Sequence, residues 1–568
     1  MEYQLTLTVT TKAYITHLSA FKRGISIFLI QRALFMYIFK SNKYLQVFVI
    51  IISALSSCKG QQKNIISTSE RDTTITIATA FSKLFLDSAQ LEVFIKKESA
   101  IGNAAGNMRD FYRSRNYQFA WFTETGIAEH TRSFWNLHNN YISDFGDTAL
   151  KYKHLHKEIG EFMHGDTAIA ISPQLMLQKE LQFTKHFFEY SKNAYTGKVD
   201  PNVLKWYIPR KKINEVALLD SFLSHAGKQL QDWEPLNIYY QRLKKELIHY
   251  HAIDEAGGWM EIKADKLKKY KPGDTAAFVK ALKVRLRISG EYKINDTTSF
   301  YTPDLIPAVK LKQRSFGMRE DGVISYGLIK ALNVPVKERI RQMLINLERM
   351  RWVPQQQEPN IIVVNIPEYR LHVFEAGKKI FSIDIVVGKE ANGTVIFSDQ
   401  LKFVVFSPYW NVPASIVQKE ILPAIRRNGN YLARMNMERT GNGFRQKPGG
   451  ANALGKVKFI FPNNYNIYFH DTPSKSLFNQ EKRAFSHGCI RLAEPQKLAA
   501  YLLRFQPEWT TETITEAMNA SAEKWVPLKK EVPVFISYFT TWVDGEGLLN
   551  FRDDVYGHDK RLAKELFE

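Results

Sequence analysis

Hydrophobic and polar positions change their rhythm four times along the chain. Residues 45–55, LQVFVIIISAL, form a nearly unbroken apolar run of eleven residues preceded by Lys40 and Lys43. That is short of the about 20 residues a membrane-spanning helix needs and matches the apolar segment of an export signal. From 76 to 275 the spacing is helical: Leu175, Leu177, Leu181, Phe183, Phe187 and Phe188 mark one apolar face broken by Lys and Glu. Asp110-Phe-Tyr-Arg-Ser-Arg-Asn-Tyr117 with Ala120-Trp121-Phe122 marks an aromatic-rich cluster, and such stripes are core before they are binding surface. Residues 276–335 read as a small helical module, with Asp321-Gly322 as a turn between two helices. The spacing of Ile340, Met343, Leu344, Leu347 and Met350 predicts a connecting helix within 336–358, with Lys337, Glu338, Arg341, Glu348 and Arg349 on its polar face.

At about 360 the period falls to two. Ile361–Ile366, Arg370–Phe374, Lys379–Val387, Leu401–Phe406 and Val457–Phe461 are short β-branched runs, with Pro367-Glu368 and Ala376-Gly377 as turns. The fold class is therefore multidomain α+β: a helical scaffold (76–275), a helical module (276–335), and a mainly β catalytic domain (359–505). A C-terminal segment (506–568) is expected to pack on what precedes it. Residues 412–455, after Tyr409-Trp410-Asn411, form an insertion rich in Arg, Asn and Gly.

Composition narrows the classes. Length of 568 residues requires several domains, and 45% apolar with 24% charged residues describes a folded chain. The net charge is +21, and +16 remains once the six basic residues and one acid of residues 1–57 are set aside. Such an excess suits a polyanionic partner. No zinc-finger spacing, RNA-binding strand motif or basic zipper accompanies it, so nucleic acid is not expected as partner. No Gly-rich phosphate loop is present, no clustered metal-ligand set is evident, and no cofactor is implied.

The two cysteines, Cys58 and Cys489, could formally pair, yet each has its own context. Leu55-Ser56-Ser57-Cys58 resembles the lipobox of bacterial lipoproteins, in which the cysteine thiol is lipidated and becomes the new N-terminus. The resemblance implies a signal region over 1–57; since Met36, followed by YIFKSNK, would make an ordinary short signal, residues 1–35 read as an over-extended start, and the polar stretch that follows reads as a tether over 58–75. The resemblance also implies an exported, periplasmic protein held to a membrane by a lipid anchor. An uncleaved membrane anchor is the alternative.

Chemistry concentrates in Tyr468-Phe469-His470-Asp471-Thr472-Pro473 and Phe485-Ser486-His487-Gly488-Cys489-Ile490-Arg491-Leu492. A thiol reacts as thiolate, so a cysteine nucleophile needs a base within reach and a group to orient that base. His470 and His487 are both candidates, and Gly488 permits an unusual turn that presents the thiol.

A histidine, a gap of fifteen to twenty residues, then Ser-His-Gly-Cys-x-Arg resembles the active-site pattern of L,D-transpeptidases with the YkuD-type domain; here His470 precedes Cys489 by nineteen positions. The resemblance covers 359–505 closely. More loosely, the helical region, the peptidoglycan-binding-like module around Asp304–Asn333 and the C-terminal Trp542–Tyr556 are similar to the large scaffold-bearing subgroup. It implies Cys489 as nucleophile, His470 as general base oriented by the carbonyl of Asp471, and the Asp471 side chain uncommitted. It further implies Tyr468 and the N–H groups of Gly488 and Cys489 as oxyanion donors, with Arg491, His487 and Trp410 on the substrate side. The implied substrates are peptidoglycan tetrapeptide stems, joined by 3→3 cross-links, with other wall-synthesis proteins as further partners. Hydrolysis of the same substrates, as an L,D-carboxypeptidase or amidase, and a non-catalytic wall-binding lipoprotein are the rivals. The insertion at 412–455 is similar to a capping subdomain over the thiol; a solvated loop is its alternative.

Overall fold

The computed structural model describes residues 70–98, 102, 104–146, 172–208, 211–229, 234–265, 268–354, 358–441 and 443–568. The signal region, Cys58 and most of the tether lie outside them. Among the described residues the scaffold holds six helices, α1 (Ser88–Lys97), α2 (Ala104–Ser114), α3 (Glu129–Phe145), α4 (Pro173–Ser191), α5 (Glu215–Ser224) and α6 (Ile238–Glu255), and the antiparallel strands β1 (Phe122–Thr123) and β2 (Gly126–Ile127). Their starts follow local chemistry. Asp87 and Gln90 form a capping box ahead of α1, and Ser172 caps α4 with Pro173 in its first turn. Phe111, Trp121, Phe183, Phe187 and Phe188 all enter one buried core, so the aromatic stripes are packing.

The small module holds α7 (Ala277–Ile288), α8 (Ile306–Ser315) and α9 (Tyr326–Leu332) around its own core. Ile262 and Tyr270 belong to that core, and Tyr270 bridges to Ile324, so the unit begins before residue 276. Asp321-Gly322 is the turn between α8 and α9, with Gly322 at φ +73° and its N–H donated to the Gln313 side chain.

Helix α10 (Val336–Trp352) departs from its predicted polar face. Glu348 and Arg349 are fully buried. Glu348 accepts from the Val199 N–H at 2.9 Å and from Arg351 at 2.7 Å. The Arg351 guanidinium also donates to the Ala194 carbonyl and the Tyr240 hydroxyl of the scaffold. On the opposite side Arg349 reaches Asp559 at 2.6 Å in the C-terminal helix α13 (His558–Phe567). The helix is covered on both flanks, so its charges are paired inside the protein instead of solvated.

The catalytic region is a closed ladder. Strands β4 (Ile361–Asn365), β5 (Arg370–Glu375), β6 (Lys378–Gly388), β7 (Ile396–Phe406), β11 (Val457–Ile460), β12 (Phe469–His470), β14 (Ile490–Leu492) and β15 (Lys524–Ser537) run in the order β11-β12-β14-β6-β5-β4-β15-β7; β7 pairs again with β11, and β13 (Ala484–Ser486) lies against β6. Closure removes free edges, and the inward positions Ile362, Leu371, Ile383, Val404, Phe459 and Phe469 fill the interior. Two strands lie outside the range expected for this domain. β15, in the segment that was expected only to pack against it, sits between β4 and β7. β3 (Trp206–Tyr207), from the scaffold, pairs in parallel with the start of β7. The β-rich unit thus recruits strands from both neighbours. Helices α11 (Pro495–Leu503) and α12 (Thr511–Met518) pack on it, and α13 (His558–Phe567) closes the chain.

The insertion is a small structured unit. β8 (Trp410–Asn411), β9 (Met437–Thr440) and β10 (Gly443–Gln446) form a three-stranded sheet, and Ile416, Val417, Ile421, Met437 and Phe444 make its own apolar cluster. A solvated loop would bury no such set.

The Arg349–Asp559 pair ties α10 to α13 in a dry setting, and removing one member strands the other charge. Asp559→Ala should therefore lower stability by about 3–5 kcal/mol. The exposed Lys482–Asp553 pair, with side chains 80% and 77% accessible, should contribute no more than about 1 kcal/mol when Lys482→Ala removes it. Thermal and urea unfolding of both variants checks the contrast; equal midpoints would contradict it.

Candidate active site

β12 and β14 are adjacent and parallel, with Phe469 beside Ile490 and His470 beside Arg491. Successive side chains in a strand point to opposite faces. Phe469, Ile490 and Leu492 accordingly enter the core at zero exposure. The other face receives Tyr468, His470, Cys489 and Arg491. The Ile490 N–H donates to the Tyr468 carbonyl, which extends the pairing to the two residues ahead of the strands. One register thus assembles four of the residues singled out in the sequence.

Cys489 is half-buried, and its thiol donates to the Asn466 carbonyl at 3.4 Å. Burial raises the thiol pKa, opposed by hydrogen bonding from Tyr468 and by the positive charge of Arg491. Burial, together with interaction with Cys489, also drives the Tyr468 hydroxyl well above its ordinary value, so it remains a donor. His470 is buried, and its pKa falls to about 3 because of burial first and the Arg491 charge second. The carbonyls of Asp471 and Leu454 pull the other way without prevailing. His470 Nδ1 lies 2.5 Å from the Asp471 carbonyl. A carbonyl only accepts, so Nδ1 carries the hydrogen and Nε2 keeps its lone pair in the neutral ring. The resting site therefore pairs a neutral thiol with a neutral imidazole. The hydrogen bond of the thiol goes to Asn466, not to His470.

The Asp471 side chain is committed, contrary to expectation. Its carboxylate accepts from the Lys456 N–H at 2.9 Å and from Lys475 Nζ at 2.7 Å. Gly455 sits at φ +61°, and a Cβ there would lie 2.4 Å from the carboxylate. Asp471 fixes the end of the insertion against β12.

The turn carrying the thiol is held from behind. Gly488 has φ +123°, a conformation L side chains avoid, while a Cβ there would find only the Asn392 carbonyl at 3.8 Å. Backbone shape, not lack of space, calls for glycine. The Gly488 N–H donates to Ser486 Oγ at 3.2 Å, and Ser486 Oγ donates to the Cys489 carbonyl at 2.5 Å. The Gly488 N–H is thereby engaged within the resting turn. The Gly488 carbonyl accepts from Thr394 Oγ1 at 2.7 Å. Tyr556 donates to the Gly388 carbonyl at 2.7 Å and takes the Thr394 N–H at 3.3 Å. Thr394 and Tyr556 had no pattern to mark them in this role, because chain folding alone brings them to the turn.

The remaining candidates scatter. Arg491 Nε is buried and makes no hydrogen bond among the described residues, which leaves a cationic donor beside the thiol. His487 is 40% exposed and its Nε2 lies 3.0 Å from Glu420 Oε1 of the insertion. Trp410 packs against the insertion's apolar cluster, at the root strand β8. A cavity of about 1050 Å³ between the small module, β5 and the C-terminal segment is lined by Arg314, Arg339, Tyr369 and Arg552 among others, and by none of the four residues on the reactive face. Reactive groups, not cavity size, locate the site.

Two family models match the chain. Residues 359–527 match the YkuD family, described as the L,D-transpeptidase catalytic domain, and residues 106–247 match a family described as the Scaffold domain. A curated protein of Haemophilus influenzae described as "Putative L,D-transpeptidase" is 30% identical over 242 residues, covering 39% of this chain and 49% of that protein. The chain thus spans about half the length of that relative. Among solved structures, an L,D-transpeptidase from Mycobacterium smegmatis aligns at 14% identity over 32% of this chain and 58% of its own, with a TM-score of 0.18. One from Xylanimonas cellulosilytica aligns at 13% identity over 48% of this chain and 100% of its own, with a TM-score of 0.16. Residues 359–527 thus carry a YkuD-type L,D-transpeptidase catalytic domain, with a Scaffold domain over residues 106–247 ahead of it.

Proposed function

We propose that the chain is a peptidoglycan L,D-transpeptidase in which Cys489 is acylated by a tetrapeptide stem and the acyl group passes to an amine of a second stem, giving a 3→3 cross-link. The observation that supports this most is the single strand face carrying Tyr468, His470, Cys489 and Arg491 inside the matched catalytic domain. The steps follow from the groups. The Cys489 sulfur attacks the carbonyl carbon after the third stem residue while His470 Nε2 takes the thiol proton. With a neutral thiol at rest, proton removal accompanies attack instead of preceding it. For this the thiol must turn from the Asn466 carbonyl toward the ring, a side-chain rotation. The tetrahedral oxyanion is met by the Tyr468 hydroxyl and the Cys489 N–H. Collapse breaks the C–N bond, and His470 returns the proton to the departing D-alanine amine. Arg491, cationic and short of partners, receives a stem carboxylate. The amine of the second stem then replaces sulfur at the carbonyl. The structured insertion shields the thioester from water, which favours transfer over hydrolysis.

The site of action belongs to the same proposal. With a lipobox-like cysteine at 58 and a basic excess in the mature chain, the protein is exported and acts in the periplasm from a lipid anchor on Cys58.

Incubated with purified tetrapeptide stems, the protein should form a covalent adduct of tripeptide mass on Cys489 and then a cross-linked dimer. Cys489→Ala should lose both, and a retained adduct in that variant excludes the assignment. His470→Ala should slow adduct formation about 10²–10⁴-fold. Cys58→Ser should move the protein from the membrane to the soluble periplasmic fraction, and unchanged fractionation would remove the anchor from the account.

A further inference from the structure

The insertion between 412 and 455 holds seven basic residues and two acids, Glu420 and Glu438. Glu438 is engaged within the insertion, paired with Arg445 and with Lys447 at 3.2 Å. Glu420 has a different setting. It lies on the helical turn Val417–Ile421, whose apolar side, Val417 and Ile421, is anchored in the insertion's cluster. Its carboxylate is half exposed and lies 3.0 Å from His487 Nε2, two residues from the thiol. One anion is therefore held at the turn that carries the thiol, with the cation Arg491 acting on that thiol from the strand that follows.

The two substrates of the proposed reaction differ in charge at the reacting end. The donor presents a neutral amide and leaves carboxylates for the basic groups. The acceptor arrives as an ammonium, which cannot attack until it loses a proton. We infer that Glu420 is the acceptor-recognition residue, taking the place of a counter-ion for the incoming ammonium and exchanging its contact with His487 for a contact with that group. This rests on the reading of Cys489 as the acylated nucleophile. The Glu420 carboxylate takes one proton from the R–NH3⁺ group and becomes a neutral acid. The freed amine lone pair bonds to the carbonyl carbon of the Cys489 thioester. The C–S bond breaks with its electron pair on sulfur, and the second amine proton passes by His470 Nε2 to that sulfur, restoring the thiol. Glu420 returns its proton to water. The amide is formed, the carboxylate is restored, and the positive charge that entered with the ammonium leaves as a hydrated proton.

A carboxylate that recognises positive charge should discriminate between acceptors by their charge. The full-length protein is first acylated with a tetrapeptide donor. It is then offered either a stem whose amine is an ammonium at neutral pH or hydroxylamine, which is uncharged there. In Glu420→Gln the ratio of stem transfer to hydroxylamine capture should fall about ten- to a hundred-fold, the size of a charge-assisted hydrogen bond. Glu420→Asp should recover part of that ratio, and the loss should appear as a raised KM for the stem as well as a lowered kcat. Equal losses with both acceptors would show that the carboxylate only holds the insertion in place, and an unchanged ratio would show that it has no part in acceptor choice; either result overturns the inference. Absence of any acyl-enzyme in the wild-type protein is a separate outcome, which removes the nucleophile assignment and this inference with it.

Discussion

The parallel contact between β12 and β14 is the constraint on which the site depends. Alternation within two very short strands sends Phe469, Ile490 and Leu492 into the core and leaves Tyr468, His470, Cys489 and Arg491 together on the other face. A slip of one residue would turn every one of these side chains to the wrong side. Neither strand could hold that register alone. β12 is pinned by β11, β14 by β6, and the ladder closes through β7, so the register is shared around a ring with no free edge. Thr394, Ser486 and Tyr556 then fix the turn that lifts Cys489. The C-terminal segment thus reaches the chemistry through Tyr556, and the scaffold reaches the ring through β3 and the buried charges of α10.

The same burial that secures the register sets the electrostatics. It opposes charge on both His470 and Cys489, and Arg491 adds repulsion toward an imidazolium. A thiolate–imidazolium pair is disfavoured at rest. In the proposed reaction the reactive form is produced only as a substrate carbonyl arrives to accept the sulfur's electrons, which limits stray reaction of the thiol. The same proposal has the Tyr468 hydroxyl and the Cys489 N–H offset the slower first step by stabilising charge where it develops.

Much of the fold was legible because it follows from period and punctuation. The strands from 361 to 387, the helix at 336–352 and the Asp321-Gly322 turn appear close to where their residues predict them. What escaped depended on neighbours distant in sequence. Glu348 and Arg349 look like a solvated face until Val199 and Asp559 cover them. β15 reads as a terminal packing segment, since nothing local shows that it lies between β4 and β7. Within the site, Tyr468, His470, Cys489 and Arg491 were marked by a compact motif. The engagement of Gly488 N–H by Ser486, the occupied Asp471 carboxylate and the meeting of His487 with Glu420 needed coordinates, because each turns on a side-chain direction.

The state of the resting thiol tests this account most directly. The ultraviolet thiolate absorbance of the wild-type protein, taken as a difference from Cys489→Ala, can be followed as pH rises. A neutral thiol–imidazole pair predicts no Cys489 thiolate at neutral pH, with ionisation only above the ordinary thiol range. His470→Ala should not abolish a neutral-pH thiolate signal, because there should be none to abolish. A thiolate already present at neutral pH and lost in that variant would show a preformed ion pair and contradict the account.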